Sequence, residues 1–169
     1  RAHLPHDAGI AQLAGGWAHI LAGDLTRALE LETQALERLS VERDPHAHAA
    51  AHAGRAWALA EMGRYREAEQ AGRRALRLAE DLGGGGLVSF AAWGLSRTYG
   101  LDGEIEQALE MGRLSATHAA TPLDGVLAGC HVGWALCRTG EAERGPALNA
   151  LPCYSVTRSG GRIRVEDFG

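Results

Sequence analysis

The chain has 169 residues, 46% of them apolar and only 5% aromatic, and carries a formal net charge of −4, a composition that argues against both a disordered chain and a membrane protein. All 17 basic residues are arginine, which removes every chemistry that needs an ammonium group, such as a P-loop lysine or a Schiff base. Arginine and glutamate alternate along the chain, so no basic face is offered to a phosphate backbone and direct nucleic-acid binding is not expected.

Alanine and leucine dominate the apolar share, which favours helices, and a first helix is expected over residues 6–22. A second follows at 24–42, where Leu25, Ala28, Leu29, Leu36 and Leu39 recur at helical spacing as one apolar stripe. Asp44-Pro45 supplies a capping side chain and a first-turn proline for a third helix at 45–62. The fourth, at 64–82, repeats the stripe from Tyr65 and Ala68 to Ala79 and Leu82, with Glu69 placed four residues before Arg73 on the other face. The glycines at 83–86 end it and loosen the next joint. Helices are then expected at 87–101, 104–120 and 122–139, the last introduced by Thr121-Pro122-Leu123-Asp124, a second capping device. Gly145-Pro146 and Pro152 break any helix after it. The tail at 155–169 is expected to be disordered, with at most a short extended piece at 162–165, where charged and apolar residues alternate.

Glycines at 23, 63, 103 and 140 stand 40, 40 and 37 residues apart in matching surroundings. Seven residues before them come the small residues Gly16, Ala56, Ser96 and Gly133. Four before come His19, Leu59, Tyr99 and Leu136, and five after come Ala28, Ala68, Ala108 and, in the last copy, Gly145. Helix pairs joined at a tight glycine turn, crossing closely at the small residues, account for the whole pattern.

Over residues 9–145 these units resemble tetratricopeptide (TPR) repeats, whose standard unit is about 34 residues. Here the units are longer, and Glu32, Gly72 and Gly112 stand where the family usually has an aromatic residue midway along the second helix. Gly16-Trp17-Ala18 and Gly133-Trp134-Ala135, echoed by Ala56-Trp57-Ala58, are similar to the long-repeat arrays that follow ATPase modules in large bacterial signalling proteins. Multidomain adenylate or guanylate cyclases are the first such resemblance, and large ATP-dependent transcriptional regulators the second. The resemblance implies an all-α, right-handed helix-turn-helix solenoid of about three and a half repeats over 1–145, with a degenerate last helix and mostly disordered tail at 146–169.

No catalytic constellation is legible. Gly94-Leu95-Ser96-Arg97-Thr98 lacks the closing glycine of a nucleophile elbow, and the glycines at 83–86 lead into Leu87-Val88 without a lysine or hydroxyl, so they cannot act as a P-loop. His48 and His52 have a zinc-chelating spacing, with His46 nearby, but further ligands and a general base are missing; no metal or cofactor is expected. Cys130, Cys137 and Cys153 form no CxxC, and reduced thiols suit a cytoplasmic protein. Cys130 and Cys137 share a helix face, where a buried thiol acts as a small hydrophobe. The longest stretch without Asp, Glu or Arg, 8–23, is shorter than the ~18 residues of a membrane span.

Four tryptophans remain. Trp17, Trp57 and Trp134 lie six residues before a turn glycine, and Trp93 lies ten before, one turn earlier. All four are expected to project from first helices in one direction, which in the resembled family is the concave groove that takes extended or helical peptides. The same positions also suit wedges that fill space between successive first helices, and a core so poor in aromatics needs that bulk. The function implied is a non-catalytic scaffold for protein or peptide partners, within a larger bacterial signalling protein such as a nucleotide cyclase. The alternative is a sensor that binds a small molecule or peptide in the groove and controls an attached ATP-dependent transcriptional regulator. A chain starting at Arg1 and breaking its last unit with prolines is expected to be one stretch of a longer array, with an uncapped C-terminal edge that self-associates.

Overall fold

The computed structural model describes residues 4–139, 154–159 and 162–167. Seven helices follow in chain order: α1 Leu4–Ala22, α2 Leu25–Arg38, α3 Pro45–Glu61, α4 Tyr65–Asp81, α5 Gly85–Asp102, α6 Ile105–Thr117 and α7 Pro122–Thr139. Each packs on its neighbours in sequence, and the odd-numbered helices also form a row, α1 on α3, α3 on α5 and α5 on α7. This is the all-α helix-turn-helix solenoid that the repeat implies.

The joints follow from local chemistry. Gly23, Gly63 and Gly103 take φ of 82°, 74° and 91°. The N–H of the residue after each donates to the carbonyl five residues back, Asp24 to His19, Arg64 to Leu59 and Glu104 to Tyr99, all at 2.9 Å. That pattern closes a helix on a left-handed residue. Gly83 ends α4 the same way, with Gly84 N–H on the Ala79 carbonyl at 3.3 Å. The glycine turn at 140 and the broken eighth helix lie outside the described residues. At the other helix ends, Ala47 N–H donates to Asp44 Oδ1 at 2.9 Å. Thr121 and Asp124 cap reciprocally: Thr121 N–H to Asp124 Oδ2 at 2.9 Å, and Asp124 N–H to Thr121 Oγ1 at 3.2 Å.

Alanine makes the core, with Ala28, Ala35, Ala68, Ala75 and Ala108 all buried. In the first three units the small residue seven before the turn faces the residue nine after it, Gly16 meeting the Glu32 carboxyl. A Cβ on Gly72 would lie 3.7 Å from the Ala56 Cβ, and one on Gly112 would lie 3.2 Å from Ser96 Oγ. The missing family aromatic has a physical reason in these two units, because the next unit fills its place. Leu95 Cδ2 comes within 2.8 Å of a Cβ on Gly72, and Val132 Cγ2 within 3.0 Å of one on Gly112.

Two departures stand out. Tyr154–Ser159 (β1) pairs antiparallel with Arg162–Asp167 (β2), placing Val156 opposite Val165. The extended piece expected at 162–165 lies inside β2, and its pairing with β1 is a feature the sequence reading did not include. The sequence between the strands, Gly160-Gly161, is itself a hairpin signal. Second, the Cys130 and Cys137 thiols are free and exposed where the sequence reading buries them. Among the described residues α7 packs only on α5 and α6, and both cysteines fall on its uncovered stripe with Leu123, Val126 and Trp134. The apolar residues expected at that edge, Leu127, Val132 and Leu136, are instead half-buried.

Candidate interaction face

The odd-numbered row carries a continuous run of rings. Trp17 on α1 meets Phe90 on α5 at a centroid distance of 4.9 Å, and Phe90 stacks on Trp93 at 5.6 Å. Trp93 receives Trp57 of α3 edge-on at 5.1 Å and His131 of α7 edge-on at 5.5 Å. Such offset and edge-to-face pairs are each worth about 0.5–1.5 kcal/mol beyond the area they bury. Trp17 reaches α5 by crossing α3 at its smallest residues: a Cβ on Gly54 would come 2.5 Å from the indole Nε1. Phe90 packs on the cluster around Ala53 and Ala91.

Burial divides the run. Trp93 is only 7% exposed and belongs to the core, whereas Trp17 and Trp57 are half-buried and present part of their rings to solvent. Polar groups border it: Trp57 Nε1 donates to Glu61 Oε1 at 3.2 Å, and Arg97 Nε donates to the same oxygen. Arg97 stands in α5 at the position that holds tryptophan in the other first helices. Burial, reinforced by Arg97 and opposed by Glu61, holds the His131 imidazole below its ordinary range.

Of the four tryptophans picked from the sequence, Trp17, Trp57 and Trp93 come together and Trp134 does not join their run. The Trp134 ring covers Gly100 of α5, where a Cβ would lie 2.7 Å from its Cζ3. Arg138 lies 5.9 Å from its ring centre, and the residue is 42% exposed. Sequence reasoning misses Phe90 and His131. Phe90 sits three residues before Trp93, a same-face spacing that could have found it; His131 has no comparable signal.

Beneath the run lies Glu32. It is fully buried in α2, and neither carboxyl oxygen has a hydrogen-bond partner among the described residues. A Cβ on Gly16 would strike this carboxyl, and one on Gly54 would lie 2.5 Å from Oε1. Two glycines therefore make its space, and burial pushes its pKa up to about 9. His48 and His52 meet edge-to-face at 4.9 Å, and no group of three His, Cys, Asp or Glu among the described residues is arranged to hold a metal. No described helix is long and apolar enough to cross a membrane.

No family model matches the chain, and no curated protein matches it. Among solved structures it is similar to a TPR-like protein from Chlorobium tepidum, with a TM-score of 0.69 and 18% identity, over 82% of this chain and 98% of that one. At that identity the likeness speaks for architecture alone, and with the repeat, the glycine turns and the helix pairing it gives the chain a TPR-like helical-repeat fold.

Proposed function

We propose that the chain is a non-catalytic scaffolding module that binds a protein or peptide segment along the odd-numbered helices, with Trp17 and Trp57 as the principal contacts. The observation that supports this reading most is the ring run, in which Trp93 is anchored in the core while Phe90, Trp17 and Trp57 stay partly open. Rigid aromatic surface lined by Glu61 and Arg97 is the composition of an interaction hot spot. The finer placement, in the cytoplasm within a larger bacterial signalling protein such as a nucleotide cyclase, rests on the Gly-Trp-Ala motifs and is tested by reading the coding frame on either side of this segment.

Peptides selected by display against the folded chain are expected to bind saturably and to change tryptophan emission. Trp57→Ala should weaken them at least tenfold while helicity by circular dichroism stays intact. Selected binders that ignore both Trp17→Ala and Trp57→Ala would overturn the reading, and loss of the fold in Trp57→Ala would assign that ring to packing.

A further inference from the structure

On the side of α3 opposite Trp57 and Glu61, a cavity of about 310 Å³ opens between α3 and α4. Its wall holds His52 and Arg55 from α3, with Glu67, Gln70, Arg74 and Arg77 from α4. Acidic residues outnumber arginines in this chain, 21 to 17, and Arg27, Arg64, Arg73 and Arg97 each pair with a carboxylate. Arg55, Arg74 and Arg77 have no carboxylate within 4.0 Å among the described residues. The one acid in the wall, Glu67, is held by both forks of Arg64 at 2.8 and 2.7 Å. Arg55 Nε and both ring nitrogens of His52 are shielded from water without a hydrogen-bond partner among the described residues. Burial first, then His48, Arg74 and Arg55, hold the His52 pKa at about 4. The imidazole is therefore neutral near pH 7, and with the Glu67 carboxylate matched by Arg64 the cavity keeps a net positive charge from Arg55, Arg74 and Arg77.

We infer that this cavity binds the phosphate group of a small phosphomonoester, clamped by Arg55, Arg74 and Arg77. Forked guanidiniums match a tetrahedral oxyanion in charge and geometry. The volume lies at the lower end of the range for small-ligand sites, about 300–1,000 Å³, and exceeds what a bare anion fills. Gln70 and His52 are left to hydrogen-bond the organic body.

The test is calorimetric titration of the folded chain at low salt with glucose 6-phosphate, inorganic phosphate and acetate. Glucose 6-phosphate should bind saturably and more tightly than inorganic phosphate, and acetate weakest. Arg74→Gln/Arg77→Gln, at two exposed positions, should weaken it at least tenfold. Arg66→Gln/Arg113→Gln, which makes the same change in charge at exposed positions outside the cavity, should leave it unchanged. Equal losses in the two double variants, or no saturable binding, would overturn the site. Inorganic phosphate binding as tightly as the sugar phosphate would overturn the phosphomonoester in favour of the free ion.

Discussion

A carboxyl buried between Gly16 and Gly54 is hard to ionise, and burial pushes the Glu32 pKa up to about 9, far above the 4.5 of an exposed glutamate. With a folded-state pKa raised above the unfolded one, its contribution to stability is complete below about 4.5 and is lost as pH rises toward about 9. Glu32→Gln keeps the shape and removes the titration. Its melting temperature should exceed that of the parent by a margin that grows between about pH 5 and 9, and parallel melting curves across that range would contradict the assignment. Two glycines should respond in opposite directions. At Gly63, with φ of 74°, the atom nearest to an added Cβ is Tyr65 Oη at 3.9 Å, so the penalty is purely conformational. Gly63→Val should lose ~1 kcal/mol or more in denaturant unfolding. Gly94 lies inside α5, where an added Cβ meets nothing within 4 Å. Gly94→Ala should therefore gain ~0.5–1 kcal/mol.

At the level of helices, the units interlock through single leucines and aromatics set into gaps left by small residues. Leu95 is 1% exposed and fills the space above Gly72, so Leu95→Ala should cost about 2–5 kcal/mol. Denaturant melts check this, and a loss below about 1 kcal/mol would mean that the gap collapses freely. Helix spans and turns were legible in the sequence because their signals are local: a capping acid, a first-turn proline, a glycine at positive φ. The end of α2 was not. Its apolar stripe continues to Leu39, yet the helix stops at Arg38 and Leu39 turns extended, with φ −84° and ψ 121°. It does so to bury itself on Ala35, Ala47 and Ala51, a tertiary demand that helical periodicity does not carry. The aromatic face was half legible for a similar reason. Spacing from the turn glycines puts Trp17 and Trp57 on a common face, but which ring meets which depends on Gly54 opening a crossing over α3 and on Gly100 drawing Trp134 aside.

In the molecule as a whole, each helix pair is supported by the pairs on either side of it, so stability should grade along the chain. α3 and α5 are buried on most of their circumference, while α7 leaves Leu123 at 66% and Val126 at 61% exposure. Hydrogen exchange should accordingly be slowest in α3–α5 and fastest in α7, where few buried contacts oppose local opening. The exposed stripe of α7 has a second consequence. Leu123, Val126 and Trp134 line up with Cys130 and Cys137 at helical spacing, and an apolar stripe of that kind pairs most readily with another copy of itself. The purified chain should therefore associate as its concentration rises. Light scattering should show the apparent mass increasing with concentration for the parent and staying flat for Val126→Glu, whose charge sits mid-stripe and away from the packed face bearing Ala128 and Ala135. A parent that stays monomeric at high concentration, with α7 as protected as α3, would show that this stripe is already covered within the chain.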